Sequence, residues 1–149
     1  MRWWLPAIVW AALIAVFSSD SFSADNTSHF IVPLLKWLLP SASPATLHLL
    51  HHYIRKLGHL SEYFVLSIWV FRAIRGRLSG WRVEWAITAL VASAGWAGLD
   101  ELHQAFVPSR GPSMHDVLID VCGAAVAQVL VGLVSLFRSR RMTPAAAAQ

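Results

Sequence analysis

Between two long apolar runs of this chain lies the block Asp100-Glu101-Leu102-His103-Gln104-Ala105-Phe106-Val107-Pro108-Ser109-Arg110, and it constrains the fold more than any other stretch. Residues 85–99 before it carry no charge, and residues 117–137 after it carry only Asp120. Ionisable side chains at membrane depth cost about 2.5–3.5 kcal/mol each on insertion scales, so they turn toward a protein interior or a wet cavity. Such a block has to be folded inward against partners.

Of the 149 residues, 56% are hydrophobic and 13% charged, where a soluble domain carries about 25% charge. The balance predicts an integral membrane protein with one domain, residues 1–142, followed by a disordered Ala-rich tail, 143–149. The one cysteine, Cys122, lies in an apolar run. It excludes an intrachain disulfide and reads as a small packing residue.

Four apolar runs can be drawn, at residues 3–19, 57–74, 85–106 and 115–137. Each approaches the roughly 20 helical residues that cross about 30 Å of hydrocarbon. The expected fold is therefore all-α and polytopic, with four transmembrane helices. The first run is long and Trp-rich, and Phe17-Ser18-Ser19 is a poor cleavage site, so it reads as a retained helix rather than a signal peptide.

Four crossings put both termini on one side. Arg2, Arg72, Arg75, Arg77, Arg82, Arg138, Arg140 and Arg141 then lie together, eight of the twelve basic residues. By the positive-inside rule that side is cytoplasmic, which predicts a multi-pass membrane protein with cytoplasmic termini. Its basic residues serve topology and anionic headgroups, so a nucleic-acid partner is not required. Seven of the eight acids and all seven histidines fall on the opposite, extracytoplasmic half.

Residues 18–28 are polar and turn-like, and residues 30–39, too short to span, form an interfacial or re-entrant segment with Lys36 and Trp37. Ser43-Pro44 signals a helix start, with Gly58 a candidate bend further on. His48, His52, Arg55 and His59 share one face of that helix; for His48, His51 and His52 a solvated face is the favoured reading. Ala94/Gly98 and Gly123/Ala127 have the small-xxx-small spacing that lets helices approach closely, which predicts tight packing of the third run on the fourth. Trp3, Trp4, Trp81 and Trp85 read as interfacial anchors.

Three polar sets converge. Lys56, His59 and Glu62 span an arc of about 120° on one helix, with Tyr63 beside Lys56. Asp100, His103 and Gln104 share a face of another, with Glu101 rotated by about 100°. Asp116 and Asp120 lie one turn apart, and Arg110 stands in the short loop before them.

These residues resemble the VanZ-like family of small bacterial membrane proteins. The resemblance is carried by Lys56-x-x-His59 with Glu62-Tyr63, by Asp100-Glu101-x-His103-Gln104-x-Phe106-x-Pro108-x-Arg110, by Asp116 followed by Gly123, and by the Phe-Ser-Ser-Asp at 17–20. Asp120 stands where the family often has Asn. The resemblance covers about residues 11–133 and implies an envelope-associated protein of the bacterial inner membrane. The founding member of that family is linked to low-level resistance to teicoplanin.

His59, Glu62, Asp100, Glu101 and His103 are the candidate catalytic residues. Lys56, Tyr63, Gln104, Arg110, Asp116 and Asp120 are the candidate ligand-binding ones. Three arrangements fit them. A divalent metal could take His59, Glu62, Asp100 and His103 as ligands, since His59-x-x-Glu62 and Asp100-x-x-His103 have usable spacing. A carboxylate beside a histidine could do acid–base work while Lys56 and Arg110 hold an anion. The same residues could cradle a lipid-linked anion without turnover. Asp116 also fits a capping box with Ser113, and Arg110 fits either a neutralised carboxylate or a phosphate. The leading expectation is recognition or modification of an envelope component with an anionic lipid-linked headgroup, with membrane lipids as partners. The alternatives are a membrane hydrolase or transferase, with or without metal, and a structural or partner-binding module.

Overall fold

The computed structural model describes residues 2–107 and 109–142; Pro108 of the polar block and the tail 143–149 lie outside the described residues. The described chain is all-α, as expected. Its helices are α1 (Leu5–Phe17), α2 (Ala24–Leu38), α3 (Pro44–Arg75), α4 (Val83–Gln104) and α5 (Met114–Met142), with a 3₁₀ turn at Asp20–Phe22.

Local chemistry sets the helix ends. The Ser23 hydroxyl accepts the Asn26 N–H at 3.3 Å to open α2, earlier than a turn-like 18–28 stretch predicts. At α3 the Ser43 hydroxyl accepts the Thr46 N–H at 3.1 Å, and Pro44 takes the first position, where its missing N–H costs nothing. The helix runs through Gly58 without a break and stops at Gly76, whose φ of 58° suits glycine.

Helices α3, α4 and α5 form the bundle; α1 packs on α3 and α4, and α2 on α3 and the 3₁₀ turn. Ala7, Ile14, Tyr63, Leu66, Val70, Phe71, Ala86, Ala89 and Ala97 make the core. Gly123 and Ala124 of α5 meet α3. A Cβ at Gly123 would overlap the Leu60 carbonyl, whereas Gly98 faces open space. That seam is tied by Ser67 Oγ donating to the Ala124 carbonyl at 3.1 Å and by Gln128 Nε2 donating to Ser67 Oγ at 2.7 Å. Helix α4 meets the bundle through Ala86, Ala89, Ser93 and Ala97 instead of Ala94 and Gly98.

The four crossings are overturned. Among the described residues one helix is long and apolar enough to cross a membrane, Met114–Ser139, 26 residues long with an 18-residue stretch at mean hydropathy 2.3. Leu5–Phe17 and Asp20–Leu38 pass only as a pair bent by 73°, a broken span or a re-entrant loop. The reasons are physical. The 13 residues of α1 reach only about 20 Å. The first half of α3 is rich in histidine and base, Glu62 interrupts its second half, and α4 carries Glu84, Asp100 and Glu101 along with Thr88 and Ser93. The multi-pass inner-membrane topology falls with the crossings, and the sidedness drawn from it, with cytoplasmic termini and an extracytoplasmic site, loses its support.

Candidate functional site

The end of α1, the 3₁₀ turn, the start of α2, the middle of α3, the end of α4 and the start of α5 meet at one end of the bundle, and the polar block is what joins them. Ser18 Oγ donates to Asp100 Oδ2 at 2.5 Å, and Gln104 Nε2 donates to the same oxygen at 3.0 Å. Arg110 donates to the carbonyls of Phe17 and Phe22 at 2.8 and 2.6 Å, and Ser109 bonds Asp20. The Phe-Ser-Ser-Asp segment and the 100–110 block, far apart in sequence, are therefore one interlocked unit.

Helix α5 opens with a capping box completed from another helix. Ser113 Oγ accepts the Asp116 N–H at 3.3 Å, as the Ser-x-x-Asp spacing predicts. The reciprocal bond to the Ser113 N–H comes from Glu101 of α4 rather than from Asp116. Asp116 is thereby free to pair with Lys56. One turn on, Asp120 is 2% exposed and lies 3.3 Å from His59 Nδ1, close enough for an ion pair but not aligned for a hydrogen bond.

Beside these contacts opens a cleft of about 230 Å³. Phe17, Phe22 and Gly58 form its apolar walls; Ser18, Thr27, His59 and Glu62 supply polar groups; Arg55 and Arg110 supply charge. Arg55 donates to the Phe22 carbonyl at 2.8 Å, the same oxygen that Arg110 holds. Two guanidiniums thus converge on one carbonyl. Among the described residues the ion pairs are Lys56–Asp116 and His59–Asp120, so neither guanidinium meets a carboxylate at ion-pair distance. Arg110 Nε is buried without a hydrogen-bond partner. Burial, and then Arg55 beside it, holds the Arg110 guanidinium below its ordinary range; burial does the same to Arg55, against Asp116 and Glu62. Both stay cationic at neutral pH.

The candidate residues divide accordingly. His59, Glu62 and Arg110 line the cleft. Asp120 backs His59, which leaves Nε2 as the ring nitrogen available to a bound group. Asp100 and Gln104 are buried and committed to Ser18, Glu101 to the α5 start, and Lys56 and Asp116 to each other. Tyr63 is fully buried in the core and does not line the cleft. His103 is exposed and stands apart from the cleft.

That distribution breaks up the metal arrangement. Among the described residues no three of His, Cys, Asp and Glu come together to hold an ion. His59 faces Asp120, Asp100 is bonded to Ser18, and His103 points elsewhere, so the four candidate ligands never form a set.

Arg55, Ser18 and Thr27 are site residues that the sequence reading did not assign. Arg55 carried a signal, one turn before His59 on its own face, but its place beside Arg110 depends on the chain turning back between α1 and α2. Ser18 sat in the Phe-Ser-Ser-Asp segment without a role.

No curated protein and no solved structure matches the chain. A family model described as VanZ/LLP1 matches residues 3–136, a stretch that takes in the cleft and all its locks. The chain, helical and membrane-associated, belongs to the VanZ/LLP1 family.

Proposed function

We propose that the protein binds the anionic group, phosphate or carboxylate, of a cell-envelope component in the cleft between Arg55 and Arg110. The observation that carries this reading is the convergence of two guanidiniums on the Phe22 carbonyl with neither in an ion pair, Glu62 sharing the cleft beyond ion-pair distance. Two like charges about 4 Å apart repel by about 1 kcal/mol in water and about 4 kcal/mol near a protein surface. An anion seated between them removes that cost, and the forked geometry of guanidinium suits a multidentate oxyanion. Family membership supports an envelope component as the source.

The test is thermal unfolding of the detergent-solubilised protein in inorganic phosphate and in chloride at matched ionic strength. Phosphate raises Tm above chloride, and Arg55→Gln or Arg110→Gln removes that increment whatever it does to the baseline. No difference between the two anions in the wild type contradicts the reading.

Turnover is the second reading, favoured by one observation. A buried carboxylate stands within ion-pair distance of His59 Nδ1 beside the cleft, a charge that favours the protonated imidazole needed to pass on a proton. Phosphate release from para-nitrophenyl phosphate by the wild type, lost in His59→Gln while the phosphate-dependent Tm increment persists, supports it. Equal release by both proteins removes it.

A further inference from the structure

A second hollow, about 220 Å³ and walled by apolar side chains, lies further along α1 and α3. Like the cleft, it is lined from α1 and α3. On α3 the stripe Arg55, His59 and Glu62 lines the cleft, and Leu66 and Val70, each one turn further, line the hollow. On α1 the hollow takes Ala7, Ile8 and Ala11, and the cleft takes Phe17, with Ser18 just past the helix end. Ala92 and Trp96 of α4 close its far side. From His59 to Val70 the α3 axis rises about 16 Å. Trp10 stands at the junction, its indole N–H on the Glu62 carbonyl at 2.8 Å. Indole suits a place where polar surroundings give way to apolar ones.

We infer that the bound component is an amphiphile whose anionic head sits between Arg55 and Arg110 and whose hydrocarbon chain lies along the α1–α3 seam into the Leu66–Val70–Ala92 hollow. The inference rests on the anion site proposed above and adds the chain. A hollow of about 220 Å³ with apolar walls has room for part of one alkyl or isoprenoid chain. The charge is at one end of the seam and the apolar lining at the other. A soluble anion would leave the second half without a use.

The test uses the full-length protein in phosphatidylcholine nanodiscs and two photoreactive probes: hexadecyl phosphate with a chain-terminal diazirine, and hexadecanol with the same group. After irradiation, peptide mapping of the wild type shows the phosphate probe attached around Ala7–Ala11 and Leu66–Val70, several-fold above the alcohol. Ala92→Phe, which fills the hollow from an exposed position, lowers that labelling several-fold, and so does Ala11→Leu. Both variants keep the phosphate-dependent Tm increment. Arg110→Gln brings the phosphate probe down to the alcohol level. Equal labelling by the two probes, or labelling that neither filling variant changes, overturns the amphiphile while an intact Tm increment leaves the anion site standing. Absence of the Tm increment in the wild type removes both.

Discussion

At Gly123 the α3 and α5 backbones come into contact, and an added methyl group would overlap the Leu60 carbonyl, which is backbone and has little freedom to yield. Gly123→Ala is expected to lower stability by about 1–3 kcal/mol, as overpacking does, measured by thermal unfolding in detergent. Gly98→Ala, in open space within α4, is expected to be neutral or to stabilise by up to about 1 kcal/mol. Glu101 is the second residue whose part is structural. Its carboxylate caps the Ser113 N–H, so Glu101→Ala should cost about 1 kcal/mol, the worth of a helix cap, and Glu101→Gln, which keeps an acceptor oxygen, should cost less. A Gln variant that unfolds as readily as the Ala variant would deny the cap. Sequence alone showed that Glu101 must face inward, because an acid beside an apolar run needs a partner. It could not show that the partner is a backbone N–H, since backbone groups leave no mark in composition.

Helix α2 is held to α3 by a small polar seam. Thr27 Oγ1 lies 3.1 Å from His51 Nε2, and Arg55 reaches Phe22 and Thr27 from one turn further along α3. Burial is the main cause that lowers the His51 pKa, with Arg55, His48 and His52 adding to it. A base with a lowered folded pKa binds its proton more readily when unfolded. Its contribution is therefore present at neutral pH and is lost as pH falls through the ordinary imidazole value of about 6.5. His51→Gln should flatten the fall in Tm between about pH 7 and 5, and an unchanged slope would remove His51 from the seam. Here the sequence reading of a solvated face holds for His48 and His52, which are exposed, and fails for His51. The helical wheel placed all three near one another, but only tertiary packing by α2 decided which one was covered. The caps at Ser43 and Ser113 were legible because capping is local chemistry. The start of α2 was missed because its first turn is polar and copies the composition of a loop.

For the molecule as a whole, the all-α class and the meeting of residues 56–62 with 100–120 could be read from the chain, whereas the part played by residues 17–20 could not. Nor could the number of crossings. Apolar runs of helix length suggest spans, yet the length of a run is not the length of its helix, and polar groups within a run dilute it; α1 fails by length, α3 and α4 by composition. Helix α5 alone passes singly among the described residues. Val126 lies near its middle and is 54% exposed. Val126→Lys should therefore cost about 2.5–3.5 kcal/mol on insertion and reduce the carbonate-resistant membrane fraction, whereas Asp120 in the same helix is tolerated because it is buried against His59. An undiminished membrane fraction would deny α5 that place.

The claim on which function turns is that Arg55 and Arg110 hold one anion between them. A double-mutant cycle tests it most directly: phosphate affinity of the wild type, Arg55→Gln, Arg110→Gln and the double variant, at one ionic strength. A shared anion requires the two losses to couple by at least about 0.5 kcal/mol, with the second substitution costing much less once the first is made. Losses that add independently, or no loss from either, would contradict it.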